Sequence, residues 1–171
     1  MKSTLSDLVA THGEVSPLFQ SVPNESLNWK FDENGWSVKQ ILVHLTHAND
    51  FYLMILEEAR AANFGAVRLH TELPGWQRMV ATDTEAWQCG NVAELYNCFG
   101  QAFQRLMADL ETFTEDELDQ PFELYEMQPN AKALPTTLRQ RVLQIAENHL
   151  REHKDQLTET LVHWQSIQSV E

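Results

Sequence analysis

Three histidines are the residues of this sequence whose type and spacing point to chemistry. Two of them, His149 and His153, stand four positions apart in the run Asn148-His149-Leu150-Arg151-Glu152-His153. Four residues is just over one helical turn, so on a helix both rings leave the same face. At about 100° per residue, Val142, Ala146, Leu150, Leu157, Leu161 and Trp164 form one apolar stripe, and both histidines fall inside it. An apolar interface is a poor setting for two imidazoles unless something satisfies their ring nitrogens. A transition-metal ion does this, because neutral imidazole is one of its common ligands. Taken alone, the pair reads equally well as two satisfied core or rim histidines. A third ligand from elsewhere would separate the two readings.

That ligand comes from the helix with the clearest start. Ser37-Val38-Lys39-Gln40 is a capping box, with Ser37 as N-cap and Gln40 at the third helical position. Trp36, just before it, is placed to act as a hydrophobic staple against Ile41. Val38, Ile41, Leu42, Leu45, Ala48, Tyr52 and Leu56 make the apolar stripe of a helix reaching about residue 62. His44 lies roughly 90° from the centre of that stripe, beside Ala48, Phe51 and Ile55, and looks along the edge of a helix interface. His47 lies roughly 150° away and is expected to face solvent or a neighbour across a rim. By itself His44 reads as an ordinary rim histidine. Together with His149 and His153 it makes three histidines with an open coordination position, the arrangement of a catalytic zinc-type site. A metal held this way acidifies a bound water or thiol, or polarises a carbonyl. The sequence carries no competing machinery. It has no glycine-rich phosphate loop, no G-x-S-x-G and no H-E-x-x-H, and neither Cys89 nor Cys98 has metal-knuckle or C-x-x-C spacing or an obvious paired histidine.

The elements that must position these residues fit within one domain, residues 1–171, long enough to bury roughly 70% of its unfolded surface. Four long amphipathic helices account for most of the apolar periodicity. The first spans 3–21 on Leu5, Leu8, Val9, Val15, Leu18 and Phe19, and Pro17 predicts a kink or a broken last turn. His12 lies next to that stripe and reads as a solvated or capped histidine. The second helix is the one bearing His44. The third, capped by Asn91, runs to about residue 113 on Val92, Leu95, Phe99, Ala102, Leu106 and Leu110. The fourth, capped by Thr137 with Gln140, runs unbroken to about residue 167. Residues 22–36 form a connector. Residues 63–90 form a long connection without sustained periodicity, with room for a short helix near 74–86, and Trp76 and Trp87 read there as lid or core packing. Residues 114–117 cap a helical turn, and 119–135 form a second long connection with a short extended piece at 122–127. The fold class is all-α, a four-helix bundle with long connections after helices two and three.

The net charge of −13 argues against nucleic acid and against an anionic membrane surface as partners. No stretch reaches 18 uninterrupted apolar residues, so no membrane span is expected. Residues 1–14 include Asp7 and Glu14 and lack the apolar segment of a signal peptide. The two cysteines are most simply free thiols in a reducing compartment, and a cytoplasmic location is expected.

The runs Gly35-Trp36-Ser37-Val38-Lys39-Gln40-Ile41-Leu42-Val43-His44-Leu45 and Asn148-His149-Leu150-Arg151-Glu152-His153-Lys154-Asp155-Gln156-Leu157 resemble the second-helix and last-helix signatures of the DinB-like superfamily. The resemblance covers nearly the whole chain in helix order, including the long middle connection. It implies an up-down-down-up four-helix bundle, often a homodimer, in which three histidines hold a divalent metal, zinc or nickel. Carried over by position, those ligands are His44, His149 and His153, the same three that the helical spacing selects. Characterised relatives include the mycothiol-dependent maleylpyruvate isomerase and the bacillithiol S-transferases, where the metal is thought to lower the pKa of a low-molecular-weight thiol. The resemblance therefore implies a metal-dependent enzyme that transfers a thiol to a small electrophile, with that thiol as co-substrate. A metal-dependent hydrolase is the alternative within enzymes, and a non-catalytic protein that binds or sequesters a small molecule is the alternative outside them. Phe103, Met107 and Trp164, apolar surface beyond what a small bundle needs, lend the homodimer some support. No segment of the sequence specifies the thiol or the electrophile.

Overall fold

The structure, a computed structural model, describes residues 3–128 and 130–169. Its organising element is helix α2, Val38–Ala61, whose first turn leaves no backbone donor unpaired. The Ser37 hydroxyl accepts from the Gln40 N–H at 3.2 Å, and Gln40 Oε1 accepts from the Ser37 N–H at 2.7 Å. The connector before the helix supplies the rest: the Val38 N–H donates to the Trp29 carbonyl at 3.1 Å and the Lys39 N–H to the Leu27 carbonyl at 2.8 Å. The donors that a helix start leaves over are thus all met, so the position of α2 along the chain is sharply set.

Three further long helical segments surround the core with α2. They are α1 (Ser3–Ser21), α4 (Val92–Leu110) and a C-terminal helix made of α6 (Leu138–Gln144) and α7 (Leu150–Gln168). In cross-section α2 packs on α4, α4 on α1, α1 on α7 and α7 back on α2. Leu8, Val15 and Phe19 meet Ile41, Leu42, Leu45, Phe99, Leu106 and Leu157 in one buried cluster, the three-and-four spacing of amphipathic helices. Val15 and Phe19, buried on either side of Pro17, hold the last turn of α1 on that core, and the helix continues through the proline to Ser21. Phe103 and Met107 also pack against the cluster, so they serve the core of this chain. Asp50 of α2 is wholly buried and is gripped by Arg105 of α4, whose Nε and Nη2 reach its Oδ1 at 3.2 and 3.1 Å and whose Nη2 reaches Oδ2 at 3.0 Å. A buried carboxylate is tolerable only with such a partner, and the pair locks the rotation of α2 against α4.

The two long connections contain more order than their periodicity predicts. The first holds strand β1 (Ala66–Arg68) and a 15-residue helix α3 (Pro74–Gln88), with Pro74 at its first helical position. The helix lies where the short helix near 74–86 is expected, and only Gly75, Met79 and Ala86 of it are buried. After α4 come the short helix α5 (Glu115–Asp119), capped by Thr114 and Glu117, and strands β2 (Phe122–Tyr125) and β3 (Leu134–Thr136). β2 lies between β1, with which it is parallel, and β3, with which it is antiparallel; Ala66 pairs with Glu123 and Phe122 with Thr136. Arg139 then donates to Asp119 and Glu115, each at 2.6 Å, and fixes the start of the C-terminal helix beside α5.

The C-terminal helix is not the uninterrupted α-helix that its sequence suggests. Between α6 and α7, residues Ile145–His149 form a π-helical turn, in which each hydrogen-bonded ring encloses one more residue. Leu138, Val142 and Ile145 are buried at ordinary spacing, and among the described side chains the next buried one, Leu150, comes five positions later. The side chain of Ala146, and Pro129 in the second connection, lie outside the described residues. Among the described residues no helix is long and apolar enough to cross a membrane.

Gly75 marks the tightest contact between α3 and α2: a Cβ there would sit 2.6 Å from Cγ and 3.0 Å from Cβ of Met54, a residue with no exposed surface. Gly75→Ala is expected to destabilise the fold by about 1–3 kcal/mol, the usual effect of overpacking. Urea unfolding followed by circular dichroism measures it, and an unchanged midpoint would contradict this packing.

Candidate metal centre

The histidines that spacing selects meet where α2 crosses the π turn. His44 leaves α2 roughly two turns after the Ser37 cap, and His149 closes the π turn with His153 one turn further on in α7. One ring nitrogen from each lies within 4.8 Å of the others. Nε2 of His44 is 2.8 Å from Nε2 of His149. The three rings are mutually steep, with centroids 4.6 to 4.8 Å apart and planes inclined at 61°, 70° and 81°. They therefore present nitrogens to a common point rather than stacking face to face.

Each ring is partly oriented by a neighbour. Nδ1 of His153 lies 2.8 Å from Oε1 of Gln156, so its proton belongs on that side and Nε2 keeps a free lone pair toward the cluster. The indole of Trp36 stacks on His153 at 5.5 Å with the planes only 4° apart, and stands edge-on to His44 at 4.8 Å. Trp36 therefore shapes the site, where its sequence position suggested a staple against Ile41. The Tyr52 ring lies 6.3 Å from that of His149. Nδ1 of His149 is buried without a hydrogen-bond partner among the described residues.

The electrostatics favour neutral rings. Burial, and then the proximity of His149, His153 and His47, lowers the pKa of His44 to about 3. Burial followed by His153 lowers that of His149 to about 4. A neutral imidazole with an outward lone pair is the state a metal requires. Three such nitrogens within reach of one point fit a divalent transition ion well, and among the described residues no other group of three or more histidine, cysteine or acidic side chains is arranged to hold one.

A groove of about 330 Å³ opens beside His44, lined by Trp36, Gln40, Val43, His47, Asp83 and Trp87. His47 stays outside the cluster, yet it is half-buried on this wall, with Nδ1 3.6 Å from Asp83 of α3, too far for a hydrogen bond. Burial lowers its pKa, against the opposing pull of Asp83 and Asp50. Trp76 packs against the core, whereas Trp87 is half-exposed at the groove mouth. A larger cavity of about 460 Å³ lies by Arg68, His70 and Tyr125, and none of the three clustered histidines lines it.

His12, expected to be solvated or capped, is half-buried against α4 with one ring nitrogen met by its own helix. Its ring is stacked 3.6 Å from Phe103 and 4.8 Å from Phe99, and Nδ1 meets the Ser16 hydroxyl at 3.2 Å. Its own helix could not reveal this, because both phenylalanines belong to α4. Burial lowers its pKa to about 4. Of the features the sequence left unassigned, Gln156 had a signal, three residues after His153 on the same face. The groove contribution of His47 and Asp83 had none, since it depends on how α3 lies on α2.

A helical bundle whose second and last long helices converge on three histidines has side chains from facing helices arranged so that they could hold a metal ion. The chain is a member of the DinB superfamily, which it matches over residues 7–157. Among solved structures it is similar to YfiT from Bacillus subtilis, described as a probable metal-dependent hydrolase with an unusual four-helix bundle topology. That likeness has a TM-score of 0.64 at 15% identity and covers 96% of this chain and 90% of the other, so it concerns the fold. No curated protein matches at a significant level.

The lowered histidine values make the metal-free protein acid-sensitive. His12, His44 and His149 have folded values of about 4, 3 and 4 against an ordinary 6.5. Between those limits the unfolded chain binds more protons, so stability is full above about pH 6.5 and falls as the pH drops toward 4. Calorimetry of metal-stripped protein should show Tm decreasing steadily over that interval. A Tm that rises on acidification would contradict burial of neutral rings.

Proposed function

We propose that His44, His149 and His153 bind one divalent metal ion and that the protein is a metal-dependent enzyme acting on a small molecule in the adjoining groove. The observation that carries this is the convergence of three steeply inclined imidazoles from two helices, with one ring nitrogen of each within 4.8 Å of the others. When bound, such an ion supplies Lewis acidity, which lowers the pKa of a thiol or water and polarises a carbonyl. The chain's own residues do the remaining work. Gln156 holds the His153 tautomer, burial keeps His44 and His149 unprotonated, and Trp36 and Trp87 border the space for the substrate. His47 and Asp83 place polar groups on the groove wall to orient it.

Among the described residues, the groove lining includes no cysteine, serine, threonine or lysine, and its ionisable side chains are His44, His47 and Asp83. We read the attacking group as one brought in, a low-molecular-weight thiol transferred to a small electrophile, with zinc or nickel as the ion. Hydrolysis by an activated water is the second reading, favoured by the description of YfiT as a probable metal-dependent hydrolase.

Protein purified without a nickel column should contain about one equivalent of divalent metal by plasma mass spectrometry, and His149→Ala should lose it. Wild-type protein that takes up neither zinc nor nickel on incubation would sink the proposal. Gln156→Leu, which frees Nδ1 of His153, is expected to weaken zinc affinity roughly 10- to 100-fold in a competition titration against a chromogenic chelator. Unchanged affinity would show that Gln156 does not orient the ligand.

A further inference from the structure

The two cysteines, which the metal centre does not use, come from different helices and meet. Cys89 caps the end of α3 and Cys98 lies in the second turn of α4, and both are free thiols. Their Sγ atoms are 3.6 Å apart. A disulfide bond is about 2.0 Å long, so modest side-chain rotation brings the sulfurs to bonding distance. Cys89 is buried and Cys98 half-buried, so of the two sulfurs Cys98 is the one nearer to solvent. We propose that Cys89 and Cys98 form a dithiol redox site that a small hydroperoxide oxidises to an intramolecular disulfide, joining α3 covalently to α4.

The chemistry is balanced by the peroxide alone. One sulfur loses its proton and attacks a peroxide oxygen; the O–O bond breaks, a sulfenic acid forms and one water or alcohol leaves. The second thiol gives up its proton and attacks the sulfenic sulfur; the S–S bond forms and a second water leaves. Two thiols are oxidised and one peroxide is reduced. The resting pair is not a standing nucleophile: burial first, and then the hydrogen bond from Cys89, pushes the Cys98 thiol up to about 12. Oxidation is consequently slow at neutral pH and faster in alkali.

The pair adjoins the groove. Lys39 of α2 donates from Nζ to the Cys89 carbonyl at 2.6 Å, and the same Nζ lies 5.4 Å from the centre of the Trp87 ring. A closed disulfide pins the end of α3 two residues beyond the indole that borders the groove. The proposal needs no metal and stands apart from the reading of the histidines.

The test uses the full chain, stripped of metal with a chelator so that no bound ion promotes oxidation. Wild type, Cys89→Ser and Cys98→Ser are exposed to hydrogen peroxide in the native state, then unfolded and alkylated with N-ethylmaleimide. Wild type is expected to lose the mass of two hydrogen atoms and take up no maleimide. Peptide mapping should show Cys89 linked to Cys98 in one chain, and dithiothreitol should restore both thiols. Each serine variant should instead oxidise to sulfenic and sulfinic acids. The proposal is overturned if wild type retains two alkylatable thiols, gains oxygen on separate cysteines as the variants do, or links only between chains.

Discussion

Two imidazole nitrogens 2.8 Å apart have room for one proton between them, not two. That restriction governs the centre of this molecule. His44 and His149 cannot both be charged, and the surrounding burial keeps water from relieving them. The contact can be satisfied by a single shared proton or by a cation that takes the place of protons, and a ring nitrogen of His153 lies within 4.8 Å of the same pair. Only if α2 and the C-terminal helix keep their spacing and their rotation does this point exist. Much of the described polar structure serves that end: the paired first turn of α2, the buried Asp50 gripped by Arg105, and the Arg139 clamp at the start of α6.

The division of labour between helices and connections follows from this. The histidines stand on packed helices, which hold ligands to fractions of an ångström better than loops do. Access is set by α3 and the residues before α2, which contribute Asp83, Trp87 and Trp36 to the groove. Ligand geometry is thereby coupled to the core, while the shape of the groove can vary through elements with few buried residues.

The parts of this arrangement that the sequence revealed are those decided within one helix. The capping boxes at Ser37 and Thr137 placed both site-bearing helices, and the face of His44 and of the His149–His153 pair followed from counting residues. The pair survived the π turn because His149 is its last residue and His153 lies beyond it in regular α-helix. What stayed hidden was decided between elements. The π turn contains no glycine or proline to announce it. Trp36 obeys the staple rule by position, but the ring of His153, brought in by the last helix, is a larger partner than Ile41. The setting of His12 belongs to α4.

The π turn also gives the C-terminal helix one place where its length can change. A π turn is an α-helix carrying one residue more than the regular winding admits, and the surplus is taken up within the turn itself. Five residues therefore carry the chain from buried Ile145 to buried Leu150, where regular winding would use four. Deleting one residue from 146–148 would let the segment relax to ordinary winding with Leu150, Leu157 and Leu161 still on the core and His153 still beside His44. A residue lost or gained further along α7 has no such outlet and swings everything downstream by about 100°. Among natural descendants of this chain, single-residue changes in length within the last helix should gather in this turn.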